Sequence, residues 1–145
     1  VVQVRTPMPP AEAFAYLADL TNFAEWDPGV DRVEQVEGDG AGLGAAFDVA
    51  VKVPGSTMTL RYDTVAFDDG STTMTAVAQN ALLTSEDTIT VEADGDGSVA
   101  TYDAELKLKG LLDLSDPLLR LTFNQIGGRA AAGLVEALAG ERVAR

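Results

Sequence analysis

The residues best suited to chemistry are one carboxylate, one serine and two tyrosines on predicted strands. Asp87 and Ser85 are two positions apart, and they share a face because alternate residues of a strand point the same way. Tyr62 and Tyr102 lie on the apolar faces of two other predicted strands. Burial among apolar side chains raises the pKa of a carboxylate, which suits a general base. Asp87 is therefore the candidate base of the chain.

A structural role for Asp87 is the alternative interpretation. Buried polar groups in proteins are normally hydrogen-bonded, so this carboxylate would accept from a tyrosine hydroxyl, from Trp26 or from a backbone group. Arg61 is the nearest cationic candidate. Strand parity places it on the outer face, where it would pair with Asp48 or Asp63.

The composition excludes several classes of site. The 145 residues include no histidine and no cysteine, so triads that need an imidazole, disulfides and cysteine-bound metals are impossible. The glycines of residues 38–44 match neither a dinucleotide fingerprint nor a P-loop. The turn at residues 94–97 lacks the later ligands of a calcium loop. We expect no metal and no cofactor.

The charge restricts the partners. A formal net charge of −13 repels phosphate backbones and anionic membrane surfaces, so nucleic-acid binding is disfavoured. No apolar run approaches membrane-spanning length, and residues 1–6 lack a signal-peptide pattern. The length predicts a single domain over residues 1–145, which we expect to be cytoplasmic. The oligomeric state is left open.

The segments that position these residues begin with a short strand over residues 1–6. A helix follows from Pro10, because proline suits a first helical position, and Phe14, Leu17 and Ala18 form its buried stripe. A second short helix, capped by Asp19 or Thr21, ends before residues 28–29. Trp26 lies at its end, where its ring either packs in the core or closes one end of a cavity.

Alternating apolar and polar residues then predict a series of antiparallel strands up to residue 108, with a bulge near Thr64. A long helix is predicted from Asp116 to about Ala139. This order predicts an α+β fold in which a curved seven-stranded antiparallel sheet surrounds a long C-terminal helix, with two short helices after the first strand.

Such a sheet encloses a cavity, and the small residues on its inner face, such as Ala76, Ala78 and Ala104, predict that the cavity is roomy. We expect its ligand-binding residues to come from the inward faces of the strands and helices. They are Trp26, Phe47, Val49, Leu60, Tyr62, Met74, Ser85, Ile89, Tyr102, Leu106, Phe123, Ile126 and Ala130.

The whole chain resembles the START-like (SRPBCC) superfamily and, within it, the bacterial polyketide cyclase/dehydrase group. The segments that carry the resemblance are VRTP (4–7), PAEAFAYLADL (10–20), EWDPGV (25–30), GDGAGLG (38–44), SEDTI (85–89), VATY (99–102) and LKLKG (106–110). The resemblance implies the helix-grip fold. It leaves activity open, because the superfamily includes lipid and hormone carriers, aromatase/cyclases and stress-response regulators, and fold does not fix function.

Three functions fit these observations. The favoured one is binding of a hydrophobic or amphipathic small molecule, such as a polyketide, isoprenoid or lipid, in the internal cavity. The alternative is a polyketide cyclase or dehydratase that uses Asp87 with Tyr62 and Tyr102 to remove a proton next to a carbonyl and lose water. The resemblance implies that cyclases of this fold place Arg, Tyr, Ser, Asp or His around the bound polyketide, and this sequence has no histidine. The third is an interaction or maturation partner with an apolar patch around residues 111–114, at Leu111, Leu112 and Leu114.

Overall fold

A computed structural model describes residues 2–81, 83–108 and 132–143 of the chain. The strands within this part are β1 (Val2–Thr6), β2 (Val30–Glu37), β3 (Ala46–Val53), β4 (Ser56–Asp68), β5 (Thr73–Gln79), β6 (Leu83–Asp94), β7 (Gly97–Leu108) and β8 (Glu141–Arg142). The helices are α1 (Pro10–Ala18), a 3-10 turn (Leu20–Asn22), α2 (Phe23–Trp26) and α3 (132–137).

The strands form one antiparallel sheet in the order β2-β3-β4-β5-β6-β7-β1-β8. The prediction of a curved seven-stranded sheet is confirmed for β1 to β7. The two-residue strand β8, which pairs with β1 through Arg5 and Glu141, was not predicted. Two residues are too few for alternation to be read in a sequence.

The curvature of the sheet has a local cause in β4. The pairing of β4 with β5 shifts register between Thr64 and Ala66, which confirms the predicted bulge. Val65, the extra residue, is 52% exposed, whereas Thr64 is buried. A bulge bends its strand and increases the local twist, so the sheet curls around its inner face here.

Helix α1 closes one end of this inner face. It begins at Pro10, and Phe14, Leu17 and Ala18 are buried as predicted. The helix ends at Ala18, and the next residue, Asp19, accepts from the Thr21 N–H through its carboxylate Oδ1 at 3.0 Å. Asp19 is therefore the residue that caps the following 3-10 turn.

The predicted C-terminal helix lies partly outside the described residues. Helix α3, over residues 132–137, falls within the predicted range, and Leu134 and Leu138 are buried as the predicted stripe requires. The stripe residues Phe123, Ile126 and Ala130, and the predicted patch of Leu111, Leu112 and Leu114, lie outside the described residues.

A glycine sets how closely α3 approaches the rest of the fold. A Cβ added at Gly133 would lie 1.6 Å from the Trp26 carbonyl oxygen, which no side chain can tolerate. The backbone of α3 therefore packs directly on the end of α2. The Thr6 hydroxyl donates to the Leu138 carbonyl at 2.6 Å and ties the same segment to β1.

Candidate functional site

Four polar side chains meet on the inner face of the sheet, and we call them the polar cluster: Tyr62, Ser85, Asp87 and Tyr102. Strand β6 supplies Ser85 and Asp87 on one face, as parity predicts, and both are buried. Tyr62 on β4 and Ser85 pair with the same residue of β5, Ala78, from its two sides. Tyr102 on β7 pairs with Ile89, the next inward residue after Asp87.

The hydrogen bonds of the polar cluster converge on Asp87. The Ser85 hydroxyl donates to Asp87 Oδ1 at 2.5 Å, and the Tyr102 hydroxyl donates to Asp87 Oδ2 at 2.5 Å. The side chain of Tyr62 also stabilises the charged form of this carboxylate. Two hydroxyls from two different strands thus donate to one buried acceptor.

Burial dominates the electrostatics of Asp87, which is only 4% exposed. Loss of solvent raises the pKa of this carboxyl group, while the hydrogen bonds from Ser85, Tyr102 and Tyr62 partly offset the rise by stabilising the charged form. The nearby charge of Asp103 adds to the increase. Asp87 therefore holds its proton more tightly than an exposed aspartate does.

The two tyrosines stay protonated well beyond neutral pH. Burial, and then the negative charge of Asp87, raise the pKa of both Tyr62 and Tyr102 well above the ordinary tyrosine value. A phenol carries a single proton. Once that proton is donated to Asp87, each tyrosine oxygen has only lone pairs to offer to anything else.

Small side chains surround Asp87 on the neighbouring strands. It pairs with Ala76 on β5 and with Ala104 on β7. Ala76 is buried, but Ala104 is exposed although it lies on the inner face between Tyr102 and Leu106. The inner face is therefore open to solvent beside the polar cluster.

Aromatic rings form the wall next to the polar cluster. Trp26 is 1% exposed, stacks on Phe23 with ring centroids 4.6 Å apart, and meets Tyr102 edge-on at 5.5 Å. Phe23 also meets Tyr62 edge-on at 5.7 Å. Among the described residues no group accepts a hydrogen bond from the buried indole Nε1 of Trp26.

A second buried carboxylate lies beside this wall, and parity did not reveal it. Asp27 is 6% exposed, and its Oδ1 accepts from the Gly29 N–H at 2.8 Å. Its negative charge contributes to the raised pKa values of Tyr62 and Tyr102. The described part of the chain thus contains two buried aspartates, Asp27 and Asp87. In the sequence, Asp followed by Pro and Gly is typical of an exposed turn, and only its position next to the sole tryptophan could have drawn attention to it.

The other predicted ligand-binding residues within the described part belong to the apolar core. Those that are fully buried are Phe47, Val49, Leu60, Met74 and Ile89, and Leu106 packs against them half-buried. A void of about 10 Å³ lies between Leu17, Ile89, Ala100, Thr101, Tyr102 and Leu134. A space of that size holds one water molecule at most, so the end of the inner face under α1 is closely packed.

Three further findings on the described residues bear on function. An open groove of about 460 Å³ lies at the sheet edge around Arg5, whose guanidinium is already paired with Asp94 and Glu141 at 2.8 and 3.3 Å. The described residues contain no group of three or more side chains placed to hold a metal ion. No helix among them is long and apolar enough to cross a membrane.

Comparison with known proteins identifies the family. The sequence matches the family described as "Polyketide cyclase / dehydrase and lipid transport" over residues 1–141. The chain belongs to this family, which confirms the resemblance seen in the sequence. No curated protein is a significant match.

Solved structures share the fold at low sequence identity. A protein from Thermus thermophilus has a TM-score of 0.75 and 16% identity, with 94% of this chain and 90% of that chain covered. A START superfamily protein from Mycobacterium smegmatis has a TM-score of 0.73 and 11% identity, with 94% of each chain covered. An aromatase/cyclase from Streptomyces sp. R1128 has a TM-score of 0.71 and 15% identity, with 94% and 90% covered. These likenesses establish the helix-grip fold.

Proposed function

We propose that this member of the polyketide cyclase/dehydrase and lipid transport family binds a hydrophobic or amphipathic small molecule, such as a polyketide, isoprenoid or lipid, on the inner face of its sheet. The observation that carries the proposal is the polar cluster, which lies among small residues and beside the solvent-exposed Ala104. Ligand sites are typically apolar clefts with a few convergent polar groups.

The surroundings of the polar cluster support this proposal. Ring contacts with Phe23 and Trp26 supply apolar surface next to the tyrosine hydroxyls. The net charge of −13 disfavours nucleic acid as the partner. We propose a single domain over residues 1–145 that works in the cytoplasm with a small molecule as its partner.

A dye whose fluorescence increases in apolar surroundings tests the proposal. Ala104→Phe places a large ring on the inner face beside Asp87, and we expect it to weaken dye binding about tenfold or more, because it fills the opening. Glu105→Phe adds the same ring at the next residue, which is exposed on the outer face, and should leave binding unchanged. Equal binding by both variants and the wild type would contradict the proposed site.

The alternative function is a polyketide cyclase or dehydratase, and the raised pKa of Asp87 favours it. In this role Asp87 would be the base, with Tyr62 and Tyr102 as donors to the developing enolate. The hydrogen bonds that Asp87 already accepts oppose the role, because they occupy the oxygens that would take the substrate proton.

Asp87→Asn separates the two roles. A positioned proton-transfer group contributes roughly 10²–10⁴-fold in rate, so a catalytic Asp87 predicts a loss of that size in conversion of a poly-β-ketone substrate, with binding retained. Turnover of such a substrate at the wild-type rate by Asp87→Asn would exclude Asp87 as the base.

A further inference from the structure

Ser85, Asp87 and Tyr102 of the polar cluster offer hydrogen-bond acceptors, and not donors, to a bound molecule. The hydroxyls of Ser85 and Tyr102 both donate to Asp87. Each hydroxyl has one proton to donate, and that proton is used inside the cluster. At a pH at which Asp87 is ionised, these three residues therefore present only hydrogen-bond acceptors to a bound molecule.

The charge of the described part has the same sign as these acceptors. Every lysine or arginine whose side chain the structure describes is exposed, namely Arg5, Arg32, Lys52, Arg61 and Lys107. Arg61, for example, pairs with Asp63 at 3.2 Å on the outer face, as its parity predicted. No buried cation in this part of the chain is available to hold an anion beside Asp87.

The neighbouring tryptophan supplies the complementary group. The Nε1–H of Trp26 is buried and finds no acceptor among the described residues, although the ring itself contacts Tyr102. A buried donor without a partner is unfavourable, because it has lost its hydrogen bond to water. A ligand oxygen next to Tyr102 would remove that cost by accepting the indole hydrogen.

We propose that the polar end of the ligand is a neutral hydroxyl group, an alcohol or a phenol, and that the site discriminates against carboxylates. The hydroxyl oxygen accepts from Trp26 Nε1–H, and the hydroxyl hydrogen is donated to a tyrosine oxygen of the polar cluster. A carboxylate has no hydrogen to donate and faces the charge of Asp87. This inference rests on the proposed binding function, and it specifies the ligand class for the same site.

Three probes of one shape test the inference: naphthalene, 2-naphthol and 2-naphthoate. Calorimetric titrations are run at about pH 8, which lies between the ordinary pKa values of carboxylates and of tyrosine. We expect 2-naphthol to bind about tenfold more tightly than naphthalene, since one satisfied hydrogen bond is worth about 1.4 kcal/mol. We expect 2-naphthoate to bind at least about tenfold more weakly than 2-naphthol.

Asp87→Asn reports on the cause of this preference. The amide removes the charge and donates to a tyrosine oxygen, so a tyrosine hydrogen is released towards the ligand. The ratio of naphthol to naphthoate affinity should fall by about tenfold, mainly because 2-naphthoate binds better. Asp103→Asn removes the same charge from the half-buried neighbour of Ala104 on β7 and should change the ratio by less than about twofold.

Trp26→Phe tests the indole donor. We expect it to remove most of the advantage of 2-naphthol over naphthalene, and thermal unfolding confirms that the variant is folded. If it does not fold, the Asp87→Asn ratio decides alone. Equal or tighter binding of 2-naphthoate than of 2-naphthol by the wild type would overturn the hydroxyl inference and leave the binding function standing. If none of the probes and no apolar dye binds, the proposed function fails, and the inference fails with it.

Discussion

The inner face of the sheet has two ends that share strands but differ in side-chain size and polarity. Under α1, Met74 and Ile89 face each other across β5 and β6, and Phe14 packs on Phe67 with ring centroids 5.4 Å apart. Further along the same strands, Ala76 and Asp87 face each other instead. We call the first region the packed end and the second region, which contains the polar cluster, the polar end of the inner face.

The difference indicates that the two ends of each strand have different roles. Large apolar side chains fill the packed end down to a void of about 10 Å³, so this end stabilises the fold. At the other end, small residues replace large ones, and polar groups that are costly to bury are held in a network. A buried charge is weak evidence of stabilisation, which agrees with the ligand-binding role that we propose for this end.

The largest effect is expected at the packed end. Phe14 is buried and contacts Phe67, so Phe14→Ala should lower the free energy of unfolding by about 3–5 kcal/mol, as deletion of a buried ring does. Urea unfolding measures the change, and Phe14→Leu is the control with a smaller loss. Ligand binding should be unchanged under conditions in which the variant is folded. A loss below about 1 kcal/mol would show that this end is not the stabilising one.

A smaller effect is expected when the network at the polar end is broken. Asp87→Asn should lower the free energy of unfolding by about 1–3 kcal/mol, because one of the two hydroxyls that donate to Asp87 loses its acceptor inside the protein. The same urea measurement applies. A more stable variant would mean that burying the charge costs more than its hydrogen bonds return.

The pH dependence of stability sharpens the contrast between the two ends. The pKa of Asp87 is raised by burial, so in the range above about pH 4 the native state binds more protons than the unfolded state. The free energy of unfolding contributed by this group is therefore highest in acid and falls as the pH rises through the native pKa. The stability of the wild type relative to Asp87→Asn should decrease over that range, whereas its stability relative to Phe14→Ala should not change. If the stability of the wild type relative to Asp87→Asn instead increased with pH, the pKa of Asp87 would be lowered in the native state, not raised.

The smallest effect concerns one member of the network. The Ser85 hydroxyl stabilises the charged form of Asp87, so Ser85→Ala should raise the pKa of Asp87 further and lower the free energy of unfolding by about 1 kcal/mol. Carbon-13 NMR of the Asp87 carboxyl group follows the titration directly. An unchanged pKa would show that the tyrosines alone orient this carboxylate.

Strand parity predicted most of the sheet and the inward placement of the polar cluster. Alternation placed Tyr62, Ser85, Asp87 and Tyr102 on the inner face because one face of a sheet must be apolar, and the break at Thr64 predicted the bulge. Period-two patterns cannot show where a long side chain leans across its neighbours. The sequence left a tyrosine hydroxyl, Trp26 and a backbone group open as donors to Asp87, and the structure shows that the Tyr102 and Ser85 hydroxyls donate to it.

Sequence patterns could not predict which loop residues are buried or where the backbone packs closely, and the reason is a different one. Asp27 is buried because α2 ends against Gly133 of α3, a contact between residues more than a hundred positions apart. No local signal reports such a contact. The same holds for β8, whose pairing with β1 depends on where the C-terminal segment returns to the sheet.

The indole N–H resonance of Trp26 gives the most direct test of the central claim, that the polar end of the inner face is the ligand site. Trp26 is the sole tryptophan, so it gives a single indole signal in a nitrogen–proton NMR spectrum. During titration with 2-naphthol, we predict that this signal shifts downfield and saturates at the same Kd as the calorimetric titration. A saturating titration that leaves the Trp26 indole signal in place, with shifts confined to residues under α1 such as Val91 and Ala100, would contradict the account.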